Sequence, residues 1–419
     1  MATTLTTALP LLREHMHKNI TEMWVEYDKK LSPTLAGMES RSMDDGAGRG
    51  YVVPIEYTHG SAVGPTFATA QALAQGTASG STPGRDRWVC QHTEVHAMAY
   101  WSRASMLAAE GKGAGEVFDL LEREVSAATA RLKKRLAHAA VEQGYGRIGT
   151  ITAVTSTTCT ISASAINRVS VGDELVAAAA HTSGALRSAT MLRVDGWDAD
   201  TGVITLSADP TALGWAANDT LFFDGYRNTT TPLMPFGLGA WCPATAPTST
   251  TFNGVNRLGN PDLGGHRVSA SGLDHASAFI KAANRAFKYG TQIDAIYCSP
   301  EDYEILSADK DATKTIQIAV GKYDIGFDGV SVNTHAGACP VIPDAMYEQG
   351  TAWAGPWKDK RYAPFIAHND DLVNIDDIDG LQFTRAATST NFEMRLYFRG
   401  QYIMPAPGKF TVITSLPSA

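Results

Sequence analysis

The segment EQGYGRIGTITAV, Glu142–Val154, contains a glycine pattern typical of a dinucleotide-binding loop. Gly144, Gly146 and Gly149 match the spacing G-x-G-x-x-G. Such a loop binds pyrophosphate only after a strand and at the start of a helix, because the phosphate lies at the helix N-terminus. Here a helical pattern precedes the glycines, and a segment rich in Thr, Ile and Val follows them. The order is reversed, so an NAD-dependent enzyme is disfavoured and Gly144 is predicted to cap a helix.

Two further motifs resemble metal sites. HTEVH, His92–His96, departs from the zinc-protease pattern H-E-x-x-H because its glutamate lies two residues from each histidine. NIDDIDG, Asn374–Gly380, resembles a calcium loop, yet aligning Gly380 puts Ile375 and Ala386 at positions that need acidic ligands. We interpret the first motif as surface polar residues and the second as an acidic turn, with a loose divalent site at a subunit junction left open. We predict no catalytic residue, no cofactor and no resident metal, and a protein that is not an enzyme.

Composition restricts the possible functions further. The chain has 419 residues, 44% hydrophobic and 19% charged, with a formal net charge of -8. This length allows two to four structural units, and the acidic balance argues against sequence-independent binding to duplex DNA. The five cysteines are far apart and odd in number, which indicates reduced thiols in a cytoplasmic setting. No apolar run reaches membrane-spanning length, so no membrane partner is expected.

Two helices are predicted in the first third of the chain. An apolar stripe over residues 9–31 indicates an amphipathic helix that must pack on another element. A second helix of about 27 residues, roughly 40 Å long, is expected to end at the glycines. Its first half is acidic and its second half basic, which suits the helix dipole. The basic residues are Arg131, Lys133, Lys134 and Arg135.

Between these helices the sequence predicts a long hairpin with a loose, glycine-rich tip. Tyr51–Tyr57 is a strand that contains Pro54, which suits an edge, and Arg87–Val95 is its returning partner. A long apolar hairpin is unstable alone in water, so we expect a neighbouring subunit to cover it. The residues predicted to make this contact are Arg49, Tyr51, Ile55, Arg85, Arg87 and Trp88.

After the glycines the pattern changes. Residues 148–228 hold six short strand signals separated by turns, which predicts a small all-β module. The rest mixes strands with a helix over 272–290 and another that starts at Ser299-Pro300. The fold class is therefore α+β with an all-β insertion.

This order of elements resembles the major capsid protein of tailed bacteriophages, the Hong Kong 97-type fold. The segments that carry the resemblance are GRGYVVPIEYTHGSAVGPTF, EQGYGRIG, DAIYCSPEDYEIL, FDGVSVNTHAGACPVIPD and FRGQYIMPAPGKFTVIT. It implies an N-terminal arm (1–47), an E-loop hairpin (48–95), a spine helix with part of the P domain (96–147), an inserted β-rich domain (148–228), an A domain with connecting P-domain strands (229–384) and C-terminal strands (385–419).

The resemblance also implies a function and partners. The chain would self-assemble into pentamers and hexamers, forming an icosahedral virion capsid that encloses double-stranded DNA without sequence-specific binding. Assembly would take place in the host cytoplasm with a portal and a decoration protein. Fewer than 50 residues precede the hairpin, so the resemblance implies a separate scaffold protein or none. No lysine lies between Lys30 and Lys112, so this hairpin lacks the amine that forms isopeptide links in some relatives.

Two alternatives stay open. An encapsulin-like nanocompartment would keep the fold and enclose a cargo enzyme, although the inserted module and the long arm argue against it. An NAD-dependent or metal-dependent enzyme belongs to another class and is disfavoured by the order of elements around Gly144.

Overall fold

The computed structural model describes residues 32–42, 50–58, 65–75, 84–101, 114–181, 185–227, 232–247, 251–258, 260–308, 318–319, 329–335, 337–368, 373–376, 384–385 and 391–418. The expected helix over 9–31 and the expected contact residue Arg49 lie outside these ranges.

The fold contains seven α-helices and twenty-three strands within the described residues. The helices are α1 (Pro33–Gly37), α2 (Phe67–Gln75), α3 (Ala114–Val141), α4 (Leu238–Trp241), α5 (Pro261–Gly264), α6 (His275–Lys288) and α7 (Pro300–Ala308), with 3₁₀ turns at Ala163–Arg168, Thr211–Leu213 and Pro407–Lys409. The strands are β1 (Glu39–Ser42), β2 (Tyr51–Thr58), β3 (Gly84–Cys90), β4 (Thr93–Trp101), β5 (Arg147–Val154), β6 (Thr158–Ile161), β7 (Glu174–Ala178), β8 (Leu192–Trp197), β9 (Val203–Leu206), β10 (Thr220–Phe223), β11 (Thr251–Phe252), β12 (Val255–Asn256), β13 (His266–Ser269), β14 (Ala295–Cys298), β15 (Ile318–Ala319), β16 (Gly329–Thr334), β17 (Gly337–Pro343), β18 (Thr351–Gly355), β19 (Phe365–His368), β20 (Asn374–Ile375), β21 (Thr384–Arg385), β22 (Phe392–Ile403) and β23 (Thr411–Thr414).

The long helix α3 and a six-stranded sheet form the largest core. Strand β22 spans 12 residues and pairs with β4 along one edge and with β19, β20 and β21 along the other, while β1 extends the sheet beyond β19. Alternate residues of β4 and β22 point to α3, as the strand period of two requires. The buried residues include Val95, Ala99, Leu136, Leu396 and Phe398. The predicted long helix is confirmed at 28 residues.

A second core lies under a seven-stranded sheet in the order β13-β23-β18-β14-β17-β16-β15. Helix α6 covers it with a face of small residues around Phe279. Asp274 caps the N-terminus of α6, because its side chain accepts a hydrogen bond from Ser277 N. Strand β23, from the C-terminal segment 385–419, joins this sheet rather than that of β22.

The predicted all-β module is a closed barrel of six strands, β10-β5-β6-β9-β8-β7, within residues 147–223. All six strand signals of the sequence correspond to its strands. The barrel has its own apolar core, which includes Ile148, Ile151, Leu175 and Phe223. Closure pairs each of its strands on both sides, so the barrel has no open edge.

The segment that carries α1 is tied to the rest of the fold by Asp344. Its carboxylate accepts hydrogen bonds from Ser32 Oγ at 2.7 Å, Thr34 N at 3.0 Å and Met346 N at 2.9 Å. Burial raises the pKa of Asp344, although these donors oppose the shift. This network anchors Ser32 and Thr34 to the residues that follow β17.

Candidate functional site

The hairpin arm, which we define as the described residues from Gly50 to Cys90, is the feature that the sequence predicts to contact a neighbour. Within the described residues β2 and β3 form a two-stranded antiparallel sheet, with Tyr51 opposite Cys90 and Val53 opposite Trp88. This confirms the predicted pairing, but the second strand ends at Cys90. Val95, expected in the hairpin, belongs to β4 and pairs with Phe398.

The base of the hairpin arm is embedded in the chain's own core. The Trp88 ring lies edge-on to Trp241 at 5.2 Å between centroids and to Phe252 at 6.2 Å. Val89 N donates a hydrogen bond to Asn253 O at 2.8 Å, which ties β3 to the turn between β11 and β12. Tyr51, Trp88 and Cys90 are each 0% exposed. The base is therefore an internal packing site.

Two of the predicted contact residues require correction. Tyr51 and Trp88 were expected at an interface with a neighbouring subunit, but their side chains are fully buried within one chain. Such side chains present no surface to a second copy. The sequence pattern did not reveal this, because the partners of Trp88 come from residues about 150 positions further along the chain.

Exposure increases along the arm towards its tip. Arg87 and Arg85 are exposed, and Ile55 is half-buried against the main core. Arg85 Nε lies 3.3 Å from Glu56 Oε2 across the two strands, so its charge is already paired within the hairpin. A surface pair of this kind contributes about 0–1 kcal/mol. Arg87 and Arg85 thus remain candidates for a contact with another molecule.

Between β2 and β3 in the sequence lies helix α2, in a segment that was predicted to be loose and rich in glycine. Thr66 and Thr69 cap its first turn, each hydroxyl accepting a hydrogen bond from the other's backbone N–H at 3.2 and 3.0 Å. Phe67, at the start of α2, is 85% exposed. An isolated apolar residue is ordinary on a surface, but this one belongs to the helix that the sequence places between the two strands of the hairpin.

The glycine loop after α3 is filled by a side chain of the same chain. One carboxylate oxygen of Glu142 accepts hydrogen bonds from the backbone N–H groups of Gly144, Tyr145 and Gly146 at 2.6, 2.8 and 3.1 Å. Its other oxygen lies 3.2 Å from His181 Nε2. The amides that would bind a phosphate in a nucleotide site are therefore occupied.

The same loop requires glycine for steric reasons. Gly144 and Gly146 have φ values of 94° and 69°, a region that disfavours side chains. A Cβ at Gly144 would lie 3.1 Å from Met234 O. The order of helix, glycine turn and strand confirms the interpretation made from the sequence.

Neither metal-like motif forms a metal site in the part of the chain that the structure describes, where no group of three His, Cys, Asp or Glu side chains could hold a metal ion. In HTEVH, Glu94 lies 3.5 Å from both His96 and Arg399. In NIDDIDG, residues 377–380 lie outside the described ranges, and Ile375 packs against the main core.

Among the helices of the described ranges, none is long and apolar enough to cross a membrane.

Basic residues of α3 bind the barrel. The sequence had suggested only that these residues interact with the helix dipole. Lys134 Nζ donates to Val169 O at 2.8 Å and Arg135 pairs with Asp173 at 3.1 Å. Arg131 and His138, one turn to either side, bond to the carbonyl oxygens of residues 171 and 147. The spacing i, i+3, i+4, i+7 places all four on one helix face, a signal that was present in the sequence.

Comparison with known proteins gives similarities in structure only. No protein-family model matches the chain, and no curated protein matches it. A capsid structure of cyanophage A-1(L) is similar with a TM-score of 0.49 and 10% identity, over 92% of each chain. The capsid of a native GTA particle is similar with a TM-score of 0.45 and 10% identity, over 92% of this chain and 90% of that one. The SrpI encapsulin complex of Synechococcus elongatus PCC 7942 is similar with a TM-score of 0.43 and 7% identity, over 93% and 89%.

Proposed function

We propose that this protein is the major capsid protein of a tailed bacteriophage, whose copies assemble into pentamers and hexamers of an icosahedral shell. The observation that carries the proposal is the hairpin arm. Its base is fixed in the subunit by the buried Trp88, whereas helix α2, between its two strands in the sequence, presents Phe67 at 85% exposure. An arm of this construction suits a contact outside its own subunit.

The contact residues that we propose are those of the outer arm. Arg87 and Phe67 are exposed, Arg85 is 69% exposed at its side chain, and Ile55 is half-buried. A guanidinium group pairs well with carboxylates, and an aromatic side chain is a common energetic centre of interfaces. Because the arm differs from the surface it would cover, the contact is heterologous, and heterologous contacts close into rings when the rotation permits.

The enclosed material follows from the same proposal. The shell would hold double-stranded DNA, and the formal net charge of -8 suits a container that does not bind DNA tightly. A scaffold protein, a portal and a decoration protein would be its partners, with assembly in the host cytoplasm. The barrel of residues 147–223 would be an insertion into the capsid fold.

An encapsulin-like compartment is the second candidate, because it would use the same subunit contacts and differ only in its contents. An NAD-dependent enzyme is less consistent with the structure, since Glu142 occupies the amides of the glycine loop.

Light scattering and negative-stain microscopy of the purified full-length protein test the proposal. Shells, or rings of five and six subunits, are the expected result. Small compact oligomers at every protein concentration would contradict it. Nucleic acid extracted from particles made during phage infection distinguishes a DNA container from a cargo compartment.

A further inference from the structure

The seam between α3 and the barrel contains a small, partly open cavity of about 20 Å³. It is lined by Arg131, Lys134, Arg135, His138, Arg168, Ser170 and Asp173. The residues of α3 form one wall, and the 3₁₀ turn of the barrel with the loop after it forms the other.

Positive charge is in excess around this cavity. Four of its lining residues are cationic, and Asp173 is the one carboxylate that the described lining contains. Burial is the main cause that lowers the pKa of Lys134, Arg135 and Arg168. Burying cations without enough counter-charge is unfavourable. Glu348 offsets part of this charge, but it lies 3.9 Å from Arg168 and is shared with Arg147 at 2.9 Å.

Three buried polar atoms of the lining residues have no hydrogen-bond partner among the described residues. They are the donors Arg135 Nη1 and Arg168 Nε, and the ring nitrogen His138 Nδ1. Arg168 is 6% exposed, so bulk water cannot satisfy its donor. His138, which is 1% exposed, donates through Nε2 to Arg147 O and adds no charge at neutral pH, since burial lowers its pKa to about 3.

We propose that this cavity binds one monovalent anion of halide size, chloride under ordinary salt conditions, between α3 and the barrel. A volume of about 20 Å³ admits a single water-sized or chloride-sized ligand. The charge decides between water and chloride, because only an anion both accepts from the two arginine donors and offsets the buried positive charge. The ligand joins the barrel to the helix.

The test uses the full-length protein with bromide as a probe and needs no variant. Crystals grown in sodium bromide are expected to show one anomalous peak at the seam in each subunit. If other bromide sites in the crystal are well occupied and the seam shows no peak, the proposal is overturned and water is the occupant.

A second test measures the effect of chloride on thermal unfolding in solution and requires no crystals. Thermal unfolding is followed in sodium chloride and in sodium gluconate at equal ionic strength, because gluconate is too large for the cavity. Chloride should raise Tm by a few degrees in a saturable manner, and Lys134→Met should reduce or abolish this rise. The control Arg193→Gln, on an exposed pair with Asp195 of β8, should retain it. Equal Tm values in both salts would contradict the proposal.

Discussion

Trp88 contributes to the stability of the subunit itself, because its ring is enclosed by Trp241 and Phe252. Trp88→Ala should lower the free energy of unfolding by about 3–5 kcal/mol, the usual cost of removing a large buried aromatic side chain. Chemical denaturation of dissociated subunits measures this loss. The matched control is Phe67→Ala, which should change the value by less than about 0.5 kcal/mol because Phe67 is 85% exposed. Equal denaturation midpoints for the two variants would contradict the assignment of Trp88 to the core.

Substitutions of Phe67 and Arg87 test the proposed subunit contact separately from folding. Phe67→Ala and Arg87→Glu should leave the thermal melt of the subunit unchanged and reduce the yield of assembled particles at least tenfold, a loss of about 1.4 kcal/mol or more in contact energy. Arg87 is a cleaner probe than Arg85, which is paired with Glu56. Size-exclusion chromatography beside microscopy gives the result. Normal particle yield from both variants would remove the outer arm from the set of subunit contacts.

Glu142 and His138 should make the junction of α3 and the barrel sensitive to acid. Burial raises the pKa of Glu142, but His181 and neighbouring groups outweigh it and hold the pKa at about 2, below its ordinary 4.5. The stabilisation is therefore present above pH 4.5 and lost as the pH falls towards 2. His138 also reduces stability in acid, because folding lowers its pKa from 6.5 to about 3. As the pH falls, the unfolded chain therefore binds a proton at His138 before the folded chain does.

The free energy of unfolding should consequently decrease as the pH falls below about 6.5, and more steeply below 4.5. Glu142→Gln should remove about 3 kcal/mol at neutral pH and flatten the profile below pH 4.5. Urea denaturation between pH 3 and 8 measures both slopes. A wild-type profile that is flat from pH 6.5 to 3 would show that neither group is coupled to folding.

At the scale of elements, the barrel is the part of the chain best suited to fold alone. Its six strands close on themselves, and its apolar core contains residues from every strand. Residues 147–227 expressed separately should give a cooperative melt with a β-type circular dichroism spectrum. A random-coil spectrum without a transition would mean that α3 is needed to complete the fold. Arg168 is the residue most affected by the separation, since it would lose its bond to Met346 O at 2.8 Å.

Local periodicity predicted most of these elements, and long-range packing explains the failures. The 28 residues of α3, the six barrel strands and the cap at Ser299 follow from neighbours in the sequence. Helix α2 was missed because FATAQALAQ lacks the charged residues that mark one helix face, and its threonine cap is local but weak. Closure of the barrel and the burial of Trp88 depend on partners far away in the chain, which periodicity does not specify.

At the scale of the whole molecule, we predict that the hairpin arm forms no covalent link between subunits. Residues 50–95 contain no lysine, so the hairpin arm has no amine with which to form an isopeptide bond. Mature particles boiled in detergent should release monomers that migrate near 44.7 kDa. Empty-vector lysate treated in parallel controls for aggregation during heating. A persistent ladder of multimers would indicate a link formed elsewhere in the chain.

The fixed base of the hairpin arm has a consequence for the kinetics of growth. Since Trp88 and Tyr51 hold the base of the arm in the isolated subunit, the position of this base is set before any encounter with another copy. Association does not require the base to be ordered first, a step that otherwise costs about 0.5–1.5 kcal/mol for each immobilised side chain. In the assembly that we propose, the supply of subunits, rather than their rearrangement, would then set the rate at which rings start.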